Sequence, residues 1–257
     1  MNKPFYQIDN KSTPFIATAI HDGHFINESL RPFGLLNEQE RAREEDPYTA
    51  FMIAELPITK ITVSSSRFQL DLNRFKEKAI YEKPEDAWGL NVWQPLPLAE
   101  KENLHKDYDT FYKAVKNLLA ETIDRHGYFL ILDVHTYNHR RDDAFTIADV
   151  EGNPEINMGT FYNHPKWKEL CTGYTQFLCS QNFDARENVK FKGGAFAQQI
   201  INEYGDKCCV LSVEFKKTFM DEWTGIADIS HVLRLQKLLS KSVHYLESQI
   251  EKYTQRV

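Results

Sequence analysis

The sequence contains few cysteines and no long hydrophobic segment. Its four cysteines are Cys171, Cys179 and the adjacent pair Cys208 and Cys209. This spacing excludes a CxxC metal site and is too sparse for a disulfide framework, so we expect reduced and mostly buried thiols. No segment is long enough to span a bilayer, and the first ten residues lack the apolar run of a signal peptide. These absences predict a cytoplasmic protein without a membrane partner.

Positive charge is also scarce. The 257 residues include 31 Lys and Arg against 37 Asp and Glu, which gives a formal net charge of -6. Such a chain is not expected to bind nucleic acid, and local arginines would have to hold an anionic substrate. Hydrophobic residues make up 42% of the sequence, enough for one large core, and we predict a single domain over residues 1–257. The sequence leaves the oligomeric state open.

Short apolar runs alternate with helical stripes along the chain. The runs at residues 15–20, 58–63, 128–135 and 208–215 predict strands, and the patterns within 107–126, 166–178, 195–203 and 232–250 predict helices. Gly127 follows the first of these helices and supplies a stop signal. This alternation predicts an α/β fold, a three-layer α/β/α sandwich with a mostly parallel or mixed central sheet. In such folds ligands bind beyond the carboxyl ends of the strands.

Ionisable residues interrupt or end three of the apolar runs: His21, His135 and Glu214. Burying such groups is costly unless a metal, an opposite charge or hydrogen bonds compensate, so we expect them to share a site. A lone histidine at a strand end is more often structural. Two histidines and one carboxylate form the usual ligand set of hydrolytic zinc. The candidate acids lie in one run, Glu44, Glu45 and Asp46, which could also be a solvated helix start.

The segment SSRFQLDLNRF carries a second polar cluster, just after the predicted strand 58–63. It places Arg67, Asp71, Asn73 and Arg74 close together in sequence. Guanidinium groups bind carboxylates in bidentate fashion, and an amide adds a directional hydrogen bond, so this cluster predicts an anion clamp. A surface cluster of salt bridges is the alternative interpretation.

In order, AIHDGH, the acidic run, DLNR, LDVHTYN and LSVEFKK resemble the N-formylglutamate amidohydrolase family, which is related to zinc carboxypeptidases and aspartoacylases. The resemblance spans His21 to Glu214 and implies a zinc-carboxypeptidase-like fold. It also implies that His21 and His135 bind Zn²⁺ together with an acid of the EEDPY run. Asp46, before Pro47, fits that place best, with Glu45 as the alternative.

The same resemblance implies a role for each remaining motif. Asn73 and Arg74 would bind the α-carboxylate of a small-molecule N-acyl amino acid, Arg67 would polarise the scissile carbonyl, and Glu214 would be the general base. The implied reaction is zinc-dependent hydrolysis of the amide bond of an N-acyl acidic amino acid, N-formyl-L-glutamate in the first place. Other N-acyl amino acids, a C-terminal peptide bond, or an inactive metal-binding protein are the alternatives.

Several neighbouring residues have more than one interpretation. Asp22 and His24 stand where the family has a small residue and a proline, and His24 could compete as a metal ligand. Asp133 shares a strand face with His135, so it could orient that histidine or form a plain salt bridge. Residues 139–141 (HRR) follow LDVHTYN closely enough to meet a second substrate carboxylate, but with Asp142 and Asp143 beside them we interpret them as a solvated charge run. Residues 192–194 (KGG) could line the pocket through backbone NH groups, but we interpret them as an ordinary turn before a helix.

Overall fold

The computed structural model describes residues 5–254, and its framework is one mixed sheet. Seven strands are seen in this range: β1 (Tyr6–Asp9), β2 (Phe15–Ala19), β3 (Thr59–Val63), β4 (Phe129–Tyr137), β5 (Ile156–Gly159), β6 (Ala185–Glu187) and β7 (Cys208–Lys216). Their order across the sheet is β1-β3-β2-β4-β7-β5-β6. Strands β3, β2, β4 and β7 are parallel, whereas β1 and β5 run antiparallel to their neighbours β3 and β7. The four parallel strands therefore end at one edge.

Helices cover both faces of the sheet. They are α1 (Glu38–Glu44), α2 (Thr49–Ile53), α3 (Leu98–His126), α4 (Lys168–Ser180), α5 (Ala195–Tyr204) and α6 (Ile229–Thr254). One buried apolar cluster joins α2, α4 and α6 to the sheet, and a second joins α3 and α5 to its other face. The predicted three-layer α/β/α fold with a mixed sheet is confirmed.

Side-chain alternation sends the polar groups of β4 and β7 to one face. Leu130, Leu132 and Val134 pack toward α2, α4 and α6, because alternate residues of a strand point to opposite faces. Asp133 and His135 therefore point toward the α3 and α5 side. The register aligns His135 with Glu214 on β7, so both side chains reach the carboxyl edge of the parallel strands.

The structure also defines where the predicted elements begin and end. Helix α3 begins at Leu98, earlier than its apolar stripe indicated, and ends at His126. The next residue, Gly127, has a φ of 79°, in the left-handed region that glycine adopts readily. Cys171, Cys208 and Cys209 are buried free thiols, whereas Cys179 is exposed. Among residues 5–254, no helix combines the length and apolar character needed to cross a bilayer.

Candidate active site

Three predicted metal ligands converge at the carboxyl edge of the sheet. His21, Asp46 and His135 are buried, and one potential ligand atom from each lies within 4.8 Å of the others. Asp46 Oδ2 is 3.3 Å from His21 Nδ1 and 3.0 Å from His135 Nδ1. The Asp46 backbone NH donates a 2.9 Å hydrogen bond to the His21 carbonyl, which holds the segment after α1 against the end of β2.

The outer ring nitrogen of each histidine faces another buried carboxylate. His21 Nε2 is 2.7 Å from Asp71 Oδ1, and His135 Nε2 is 3.1 Å from Asp133 Oδ1. A carboxylate at this position favours the proton on Nε2 and leaves the Nδ1 lone pair free for a cation. Asp133 lies next to His135 as one sequence interpretation required, and the Thr18 hydroxyl donates to it at 2.6 Å.

Asp46 is oriented by a residue that the sequence did not single out. The Thr136 hydroxyl donates a 2.9 Å hydrogen bond to Asp46 Oδ1, so that Oδ2 is the oxygen facing both histidines. The neighbouring Glu45 turns elsewhere, because its carboxylate lies 2.5 Å from His24 Nδ1 and accepts from the Ser66 hydroxyl. The convergent group therefore includes Asp46 and neither Glu45 nor His24.

Glu214 lies beside this group. The two lysines that follow it in sequence have other partners. Lys216 donates to the Asn153 carbonyl at 2.7 Å, and Lys217 donates to the Glu45 carbonyl at 2.7 Å. Neither lysine forms an ion pair with Glu214, so a local salt bridge does not account for this buried carboxyl group. Burial raises the pKa of Glu214 to about 8, opposed by His135 and reinforced by Asp46.

The electrostatics of this cluster favour a bound cation. Four buried carboxylates, those of Asp46, Asp71, Asp133 and Glu214, surround the two histidines. Burial lowers the pKa of His135, but Asp133 and Asp46 outweigh it and raise that pKa well above its usual value. A site that draws a proton so strongly is short of positive charge, and its inward imidazole and carboxylate atoms are donors suited to Zn²⁺.

Arg67 reaches the same cluster through Asp71. Its Nη2 is 2.8 Å from Asp71 Oδ2, which also accepts from the Tyr81 hydroxyl. Burial alone would raise the pKa of Asp71, but Arg67 and the His21 hydrogen bond hold it well below its usual value. Tyr81 is fully buried, and no local sequence signal connected it to this site.

Asn73 and Arg74 line the adjacent cavity, where a glycine allows Asn73 to approach α5. The Asn73 Oδ1 atom accepts a 3.0 Å hydrogen bond from the Phe196 backbone NH. A Cβ atom at Gly194 would lie 2.0 Å from that oxygen, so the position requires glycine. The segment 192–194, interpreted from sequence as an ordinary turn, thus forms part of the cavity wall.

The cavity has a volume of about 710 Å³ and opens at the carboxyl edge of the sheet. All seven predicted site residues line it: His21, Asp46, Arg67, Asn73, Arg74, His135 and Glu214. Arg141 lines it too and forms a two-pronged contact with Glu44, at 3.1 and 2.8 Å. Arg141 is exposed, as a solvated charge run predicts, but it also lines the cavity because the chain after β4 folds back over Glu44 of α1.

Comparisons with known proteins place this chain in a family. A family model described as N-formylglutamate amidohydrolase matches residues 13–220. The N-formylglutamate amidohydrolase of Ralstonia eutropha JMP134 has a similar structure, with a TM-score of 0.76, 16% identity and coverage of 99% of both chains. The gene product Atu2144 of Agrobacterium tumefaciens aligns over 94% of this chain and 96% of its own, with a TM-score of 0.66 and 15% identity. No curated protein gives a significant match. Because the family match spans most of the sequence, the chain belongs to the N-formylglutamate amidohydrolase family.

Proposed function

We propose that this protein is a zinc-dependent amidohydrolase that converts N-formyl-L-glutamate to formate and L-glutamate. One observation carries the proposal: a buried His-Asp-His group and an adjacent glutamate share a cavity with Asn73, Arg67 and Arg74. The first set suits metal-assisted hydrolysis, and the second suits recognition of a carboxylate next to the scissile amide. Membership of an amidohydrolase family supports the same reaction class.

The zinc ion would be held by His21, Asp46 and His135. Two imidazoles and one carboxylate leave a coordination position open, as catalytic zinc sites do. When bound there, zinc supplies Lewis acidity and lowers the pKa of a water molecule. Asp71 and Asp133 keep the two imidazoles oriented, and Thr136 does the same for Asp46.

Glu214 would move the proton during the reaction. Its carboxylate would take a proton from the attacking water and deliver it to the amide nitrogen as the amino acid departs. Burial raises its pKa to about 8, and a cation held by the neighbouring His135 would lower that pKa, so that the base is ionised at neutral pH. Arg67 would stabilise the negative charge that develops on the carbonyl oxygen.

The test is release of formate and glutamate from N-formyl-L-glutamate by metal-analysed protein. We expect activity to vanish on chelation and to return with one zinc ion per chain. N-acetyl and N-succinyl substrates, compared in the same assay, define the accepted acyl group. Full activity in metal-free protein would contradict the zinc requirement, and hydrolysis of other acyl substrates in preference to the formyl compound would contradict the substrate assignment.

A further inference from the structure

The exposed part of the cavity wall carries more positive charge than one α-carboxylate requires. Besides Arg74, four cationic residues line the cavity near solvent: Lys78, Arg141, Lys190 and Lys192. We call these five residues the cavity mouth. Arg141 is paired with Glu44, and Lys78 lies 3.6 Å from Asp86. A net charge of -6 for the whole chain makes this local excess of cations notable as a recognition feature.

Among the described residues, Lys190 has no carboxylate partner, in contrast to Arg141 and Lys78. Its Nζ donates to the neutral side chain of Asn153 at 2.5 Å and lies 5.2 Å from the centre of the Tyr137 ring. Within residues 5–254, no carboxylate lies at ion-pair distance from this ammonium. An ammonium has three donors, so Lys190 retains hydrogen-bonding capacity for an anion that enters the cavity.

The backbone of Lys190 is fixed to the strands that carry the catalytic groups. Asn157, fully buried on β5, accepts from the Lys190 backbone NH at 2.8 Å and donates to the Phe191 carbonyl at 2.9 Å. Asn157 is also the register partner of Glu214. Tyr137, under the ammonium, lies two residues after His135 on β4. The position of Lys190 is therefore set relative to the proposed base and metal ligand.

Electrostatics agree with this geometry. Partial burial lowers the pKa of Lys190 and the positive charge of Arg141 lowers it further, whereas the charges of Asp149 and Glu222 partly offset this lowering. Two cations that disfavour each other across a cavity wall are both stabilised when an anion binds beside them.

We infer that Lys190, beside Arg141, forms a second anion subsite that selects substrates with a carboxylate in the side chain. This inference rests on the proposed function, because Arg74 and Asn73 are taken to hold the α-carboxylate. With both subsites occupied, a dicarboxylic N-acyl amino acid is held at two points, which limits rotation of its scissile amide beside the proposed metal ligands.

The test compares N-formyl-L-glutamate with N-formyl-L-glutamine, which has nearly the same shape and no side-chain charge. We expect the wild-type protein to prefer the glutamate compound. Lys190→Met should lower kcat/KM for it roughly 10- to 100-fold, the effect of losing a hydrogen bond to a charged group, with little change for the glutamine compound. Lys190→Arg should keep most of the preference, and Lys168→Met, an exposed change on α4, should keep all of it.

The outcomes separate this inference from the proposed function. Equal turnover of both substrates by the wild-type protein, or an equal loss on both in Lys190→Met, would overturn the subsite while leaving the deformylase activity established. Absence of turnover of N-formyl-L-glutamate would overturn the proposed function and the subsite with it.

Discussion

The floor and the mouth of the cavity have opposite charge and opposite burial. We use floor for the buried lining residues His21, Asp46, His135 and Glu214, which lie among carboxylates. The mouth consists of cationic side chains that are exposed or, for Arg74, partly exposed. A carboxylate-rich floor attracts a metal cation, and a cationic mouth attracts an anionic substrate, so one cavity can collect both.

The two regions also differ in how they are held. Floor side chains are oriented by buried polar contacts such as those with Asp71, Asp133 and Thr136, whereas Lys190 and Lys192 are long side chains near solvent. Removing a buried partner leaves a polar group without a hydrogen bond, which costs free energy. Removing an exposed charge costs little, because water takes its place. We therefore expect changes in the floor to affect metal binding and catalysis strongly, and changes in the mouth to affect substrate choice.

The largest effect should follow loss of a metal ligand from the floor. His135→Ala removes an inward Nδ1, so bound zinc and activity should disappear together, with a rate loss on the order of 10³-fold or more. His24→Ala is the matched control, because His24 pairs with Glu45 outside the convergent group. Metal analysis and formate release measure both properties. If His24→Ala loses zinc and His135→Ala keeps it, our choice of histidine is wrong.

Loss of the base should reduce catalysis without loss of bound zinc. Glu214→Gln has nearly the same size but cannot accept the proton, so kcat should fall about 10²- to 10⁴-fold while KM and zinc content change little. Glu203→Gln, an exposed change on α5, controls for the substitution itself. Steady-state kinetics and metal analysis provide the measurement. Near-normal kcat, or inactivity caused only by lost zinc or unfolding, would require another base.

A change in the mouth should be smaller and should depend on the substrate. Arg74→Lys keeps the charge but loses the planar pair of donors. The fall in kcat/KM should correspond to a loss of about 2–4 kcal/mol of transition-state stabilisation. The wild-type protein should also reject substrates whose α-carboxylate is amidated. Arg125→Lys, on the exposed last turn of α3, is the matched control. Equal turnover of acid and amide substrates would refute the clamp.

The smallest effect should come from a residue that only orients a ligand. Thr136→Val removes the hydroxyl that binds Asp46 Oδ1 and keeps the side-chain shape, so zinc affinity should weaken roughly tenfold. Thr136→Ser restores the hydroxyl and should restore most of the affinity. Competition with a zinc chelator measures both variants. Unchanged affinity in Thr136→Val would show that the two histidines position Asp46 without help.

Strongly patterned elements were predictable, and short ones were not. The buried strands β2, β4 and β7 and the helices α3 and α6 have enough residues to show their periodicity. Strands β5 and β6 have only four and three residues, too few for a pattern. Yet β5 carries Asn157, which connects Lys190 to the strand of Glu214. The contribution of Lys190 to the proposed anion subsite was therefore not predictable from the sequence, whereas residues 139–141 follow LDVHTYN closely enough in sequence to be considered for a second substrate carboxylate.

The choice between adjacent residues likewise depended on the folded chain. Glu45 and Asp46 have similar chemistry, and their roles as alternative ligands stay predictions until metal is measured. The structure distinguishes their positions, because the Asp46 backbone NH donates a hydrogen bond to the His21 carbonyl, whereas the Glu45 carboxylate faces His24. Neighbouring side chains point in different directions, and the direction depends on backbone angles that residue identity does not specify.

By itself, the sequence determined the α/β pattern, the polar residues at strand ends and the order of motifs that resembles one family, because periodicity and residue chemistry are local properties. Only the tertiary structure decided which carboxylates face the histidines, that Gly194 makes room for Asn73, and that Arg141 and Lys190 share a cavity wall. Those facts depend on contacts between segments far apart in the chain, whose geometry is set by packing of the whole sheet and its helices.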